Sequence, residues 1–158
     1  MHEKNLLNSE WVNHEKREVE YPIPVIRCTP ALTRDQFLAL SEDVEAVVVI
    51  AFATGTVPDW IVSAIKKRID EGVAVVALTG NPGDKHGLLR IAYDAGGEAY
   101  KSGMVGLQKV NVNHLQEVVE ALTSALKDGL KGADLAKEMK ERYAYREGEE
   151  KPHPKWER

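Results

Sequence analysis

Apolar and polar residues alternate between two periods along residues 23–127. Pro24-Val25-Ile26-Arg27-Cys28-Thr29 reads as a short strand, with Pro24 first, where a missing N–H does least harm. Thr33-Arg34-Asp35-Gln36 has the spacing of a capping box, and Leu32 and Phe37 stand where a hydrophobic staple belongs, so a helix through Leu40 is expected. Val44 to Ile50 is a nearly unbroken β-branched run, suited to a central parallel strand buried on both faces. Ile61, Val62, Ile65 and Ile69 mark one helix face that ends at Gly72. Gly72 to Leu78 is a second buried strand.

Leu88, Leu89 and Ala92 suggest a short helix stopped at Gly96-Gly97, and Gly103 to Leu107 a last short strand. Asn113 is placed to cap a helix with apolar face Leu115, Val118, Val119, Leu122 and Leu126. Leu135, Met139 and Tyr143 mark one more helix. Strands separated by helices of this length imply an α/β fold. The expected architecture has three layers, a parallel sheet of about four strands flanked by helices, and an extra C-terminal helix. Residues 1–22 are expected as an N-terminal arm, 23–127 as the domain, 128–145 as that last helix and 146–158 as a charged tail.

The 158 residues, 43% apolar and 29% charged, suit one globular domain with a real core. The net charge of −4 gives no strong nucleic-acid signal. No stretch approaches membrane-spanning length, and the charged N-terminus does not resemble a secretory signal, so a cytoplasmic protein is expected. A single cysteine, Cys28, excludes an intrachain disulfide and a cysteine-rich metal site. The five histidines lack metal-ligand spacing, so no metal or cofactor is expected. Cys28 is read as a small buried hydrophobe, with a nucleophile as the sharper alternative.

Two loops at the carboxyl ends of predicted strands carry the candidate chemistry, since ligands approach parallel sheets from that end. In the first, Thr56, Pro58 and Asp59 are accounted for as a helix start, with Thr56 as N-cap and Asp59 at the third helical position. Its ligand-binding candidates are Thr54, Gly55 and Thr56, with N–H groups at a helix start for a carboxylate or amide oxygen. The second loop, residues 79–87, adds Thr79, Asn81, Asp84 and Lys85, and is also explicable as a solvated turn. It lacks the P-loop spacing and the dinucleotide fingerprint.

The order of segments adds something to this. Pro30-Ala31-Leu32-Thr33 precedes the first helix. Ala51-Phe52-Ala53-Thr54-Gly55-Thr56-Val57-Pro58 leads to a helix over 60–71 and the strand from Gly72, and Ala95-Gly96-Gly97 leads to Ser102-Gly103-Met104-Val105. This span, Val25 to Leu126, resembles the C-terminal domain of the L-asparaginase/glutaminase family, including the related tRNA-dependent amidotransferase subunit. The resemblance implies that the family's nucleophilic threonine, a second threonine with its Asp, and a Lys belong to a larger N-terminal domain, which residues 1–22 are too few to supply. The family's Asn at the position of Thr56, which in some members reaches a neighbouring subunit's active site, is Thr here. Two of its glycines are Ala51 and Ala53.

The resulting expectation is an asparaginase-C-like module, not an enzyme on its own, that acts by self-association or by binding a partner or a small amide. One alternative is half of a split amidohydrolase, completed by a chain resembling an asparaginase N-terminal domain. Another is a nucleotide- or phosphate-binding α/β protein. A homo-oligomer or such a partner chain is expected, with Trp60, Leu135, Met139 and Tyr143 as interface candidates.

Overall fold

The computed structural model describes residues 19–52, 55–80 and 94–146, with only the backbone of 94–97. Four strands, β1 (Val25–Arg27), β2 (Ala46–Ala51), β3 (Ala74–Thr79) and β4 (Val105–Gly106), form one parallel sheet in the order β1-β2-β3-β4. The register sets Val48 beside Val25 and Val76, and the six residues of β2 run level with the six of β3. All twelve are buried, as an unbroken apolar run in a central strand requires.

Period 2 sorts these strand residues into two cores. Val47, Val49, Val75 and Ala77 face one core, with Phe37, Ile65 and Ala99 from α1 (Arg34–Leu40), α2 (Val62–Asp70) and α3 (Asp94–Lys101). Val48, Ile50, Val76 and Leu78 face the other, with Leu122 and Leu126 from α4 (Leu115–Lys127) and Leu135 and Met139 from α5 (Gly132–Tyr143). The crossover helices therefore share one face, and the two C-terminal helices cover the other. Tyr21, expected in the arm, packs on the second core with Ile23.

Local chemistry sets the element ends. Thr33 Oγ1 accepts from the Gln36 N–H at 3.0 Å while Gln36 Oε1 accepts from the Thr33 N–H at 2.9 Å, the reciprocal cap expected for α1. α2 stops at Gly72, whose φ of 89° lets its N–H reach the Ile69 carbonyl and the Val73 N–H reach Arg68.

Three expectations shift. Gly96 and Gly97 lie inside α3, and the stop is Gly103, where a φ of 114° permits the same closure onto Tyr100 and Ala99. Position, not glycine content, decides which glycine ends a helix. The cap before α4 is Asn111, not Asn113. A 3-10 turn, Val112–His114, is inserted, and the Asn111 side chain accepts from the Asn113 N–H at 2.9 Å while the Asn111 N–H donates to His114 Nδ1. The third concerns Thr56 and is described with its loop. The helix suggested by Leu88, Leu89 and Ala92 lies outside the described residues. Among the described residues no helix is long and apolar enough to cross a membrane.

Candidate functional site

The carboxyl end of the sheet gathers the ends of β1, β2 and β3 with their loops. β2 and β3 finish level, at Ala51 beside Thr79, so the two candidate loops leave the sheet side by side. The first folds back on itself. The Phe52 N–H donates to the Thr56 carbonyl at 2.9 Å and the Gly55 N–H to the Phe52 carbonyl at 2.7 Å. Gly55 is buried with φ of 82°, a conformation glycine reaches without cost.

That closure explains why Thr56 is not the helix cap. Its carbonyl bonds back to Phe52, and buried Val57 and Pro58 carry the chain on to a 3-10 turn, Asp59–Ile61, that leads into α2. Pro58 takes the cap position, with no side-chain cap bond. Trp60 is half exposed, and its indole N–H donates to the Leu32 carbonyl at 2.5 Å, tying this start to the segment before α1.

Tyr100 of α3 is a residue that sequence reasoning missed. Its hydroxyl donates to the Gly55 carbonyl at 2.6 Å and tethers the loop. Burial, with the nearby Cys28 thiol opposing ionisation, raises the phenol's pKa. Cys28 is buried in the first core, and burial pushes its thiol up to about 12. The thiol stays protonated at neutral pH, which suits the buried-hydrophobe reading and not the nucleophile.

Gly80, also missed, begins the second loop. Its N–H donates to the Ala51 carbonyl at 3.1 Å, and a Cβ there would stand 2.9 Å from that same oxygen and 3.6 Å from an Arg27 guanidinium nitrogen. No spacing motif points to Tyr100, Gly80 or Arg27. For Arg27 and Gly80 the available signal was their place at the ends of predicted strands, whereas Tyr100 lies beyond the helix stop expected at Gly96-Gly97.

Of the ligand candidates, the structure brings together Gly55, Thr56 and Thr79. Thr79 is fully buried at the end of β3, and Thr56 is half-buried. Thr54, Asn81, Asp84 and Lys85 lie outside the described residues. Among the interface candidates, Leu135, Met139 and Tyr143 are buried in the chain's own second core. They cover the sheet and present no face to another chain, so Trp60 is the exposed one. Among the described residues the strand order contains no reversal, and so no switch point of the doubly wound kind. No cluster of His, Cys, Asp and Glu among the described residues could hold a metal ion.

No family model matches the chain, and neither does any curated protein. Solved structures do. An L-asparaginase I from Vibrio cholerae is similar at 20% identity and a TM-score of 0.67, over 84% of this chain and 38% of that one. The fold is asparaginase-like. A thermostable L-asparaginase from Thermococcus kodakarensis is similar at 17% identity and a TM-score of 0.63, over 83% of this chain and again 38% of the other. At such identities the likeness carries the fold alone. This asparaginase-like unit spans well under half the length of the enzymes it matches.

Proposed function

We propose that the chain is an asparaginase-C-like module, non-catalytic on its own, which works by associating with itself or a partner or by holding a small amide. The observation that carries this is the closed loop at the carboxyl end of the sheet. Its Phe52 and Gly55 N–H groups are bonded internally and its Gly55 carbonyl is held by Tyr100. Such a loop is a fixed turn, and the thiol beside it is protonated.

The same bonds weigh against phosphate binding there, because those two donors are taken and Asp59 puts a negative charge in the first turn after the loop. Ammonia release from asparagine and glutamine tests the proposal. The pure chain is expected to stay at the buffer rate. Turnover abolished by substituting Thr54, Thr56 or Thr79 would overturn it.

A second reading is favoured by the 38% coverage of both asparaginases. A counterpart chain carrying the nucleophilic threonine would complete the site. Purification from the native source should then bring down a second chain in a complex of fixed mass, and its repeated absence would count against this reading.

A further inference from the structure

Two helices of this chain begin with a reciprocal cap, and the caps differ in one group. At α1, the Thr33 side chain accepts from the Gln36 N–H, and the Gln36 amide oxygen accepts from the Thr33 N–H. Ahead of α4, the Asn111 side chain accepts from the Asn113 N–H, and the Asn111 N–H donates to His114 Nδ1 at 3.1 Å. Gln36 and His114 each stand three residues after their cap and return a bond to its N–H. An amide oxygen does not titrate near neutral pH. An imidazole nitrogen accepts only while it carries no hydrogen. A backbone N–H can only donate, so this bond requires the neutral His114 ring with its hydrogen on Nε2.

The bond stands at a junction. The Lys109 N–H donates to the Tyr143 carbonyl at 2.8 Å, and the Tyr145 N–H to Gln108 Oε1 at 2.8 Å, so the chain ahead of the cap is tied to the end of α5. Beyond the cap, α4 lays Val118, Leu122 and Leu126 on the sheet's second face. The charged and titratable groups on the segments that meet here are Glu117 in the first turn of α4, Lys109 ahead of the cap, and Arg142, Tyr143 and Tyr145 at the end of α5 and just after it. Tyr143 interacts with both Arg142 and Glu117, and the Lys109 ammonium lies over the Tyr145 ring at 5.3 Å. The carboxylate favours an imidazolium and the two cations oppose it. The bond at Nδ1 is what separates the two forms by geometry.

We propose that His114 makes the turn into α4 a proton-operated closure: the neutral imidazole holds it, and a proton taken up at Nδ1 opens it. The proton comes from the medium and occupies the lone pair that the Asn111 N–H uses. Two donors then face each other, and the N–H of buried Asn111 loses this bond. The cap of α1, returned by Gln36, contains no such group. Acid therefore loosens the cover of one face of the sheet at one end and leaves the start of α1, on the other face, closed. The inference goes beyond the module reading and does not depend on what the module binds.

The test follows amide exchange in the full chain by NMR at about pH 7.5 and pH 5.0, either side of the ordinary imidazole range and above that of carboxylates. Each rate is divided by the intrinsic rate at the same pH. Protection of the Asn111 amide is expected to fall about fivefold at the lower pH, while that of Thr33 holds. In His114→Gln, which copies the Thr33–Gln36 pair, Asn111 protection should stay level. Long-range proton–nitrogen spectra of the native chain at the higher pH should show the His114 ring with a hydrogen on Nε2 and none on Nδ1.

A hydrogen on Nδ1, or equal Asn111 protection at both pH values, overturns the proposal. So does an equal fall at Thr33, or the same fall in His114→Gln, because either marks a general loosening in acid. Should the glutamine variant not fold, the ring tautomer and the native comparison of Asn111 with Thr33 still decide.

Discussion

At the amino end of the sheet, Arg68 reaches from α2 to the end of α1. Its Nε donates to Ser41 Oγ at 2.9 Å, one terminal nitrogen to the Leu38 carbonyl at 2.7 Å and the other to Glu71 Oε1 at 2.9 Å. Ser41 is fully buried, and its hydroxyl donates in turn to the Phe37 carbonyl at 2.6 Å. The turn braced this way leads into β2 and holds Asp43 in the left-handed region, φ 56°.

At the carboxyl end, one neutral phenol on one carbonyl ties the loop. The first arrangement spends a buried charge and its partners on joining two helices. The second uses neutral bonds: the Tyr100 hydroxyl on the Gly55 carbonyl, the loop's own backbone closure and the Gly80 N–H on the Ala51 carbonyl. The contrast therefore sets a buried charged clamp at the amino end against a neutral, backbone-closed turn at the carboxyl end.

The strongest challenge to that contrast is Arg68→Met, which keeps volume and removes every donor. Ser41, the Leu38 carbonyl and Glu71 lose their partner in a largely buried site. A loss of about 3 kcal/mol is expected in urea unfolding. A loss under about 1 kcal/mol would mean that the amino end is not the stronger clamp.

Tyr100→Phe removes only the hydroxyl at the other end, and about 1 kcal/mol is expected. Hydrogen exchange sharpens the comparison. The Gly55 amide should exchange faster in the variant while amides of α1 and α2 keep their rates. Uniform acceleration would show that the two ends are one cooperative unit.

The smallest effect is absent at neutral pH. The folded state raises the Cys28 pKa from 9.0 to about 12, so the folded chain keeps a proton that the unfolded chain loses. The stability linked to this group is complete below pH 9 and falls as pH rises toward 12. Urea midpoints at about pH 8 and pH 10 should drop less in Cys28→Ala than in the native chain. Tyr100, raised first by burial and then by Cys28, keeps the burial part of its own decline in both proteins. Equal declines would mean that the thiol is not held protonated.

Much of the fold was legible because it rests on short-range rules. The β-branched runs of β2 and β3, the Thr33–Gln36 cap and the Gly72 stop are each written within a few residues, and each forms as expected. The site was less legible. Thr56 has the residue type and spacing of a cap, yet its carbonyl closes the loop onto Phe52 instead. Leu135, Met139 and Tyr143 form an apolar stripe, and a stripe does not say which surface covers it. Here it is the sheet's second face.

The sequence by itself determined the alternation of strand and helix, because periodicity and end chemistry are local. It also carried the likeness to a part of an asparaginase, since segment order survives where identity is low. Only the tertiary structure decided that Tyr100 holds Gly55 from forty-five residues away and that Arg68 joins α2 to α1. Each of these is a meeting of segments distant in the chain, and such meetings are set by how the faces of the sheet are covered.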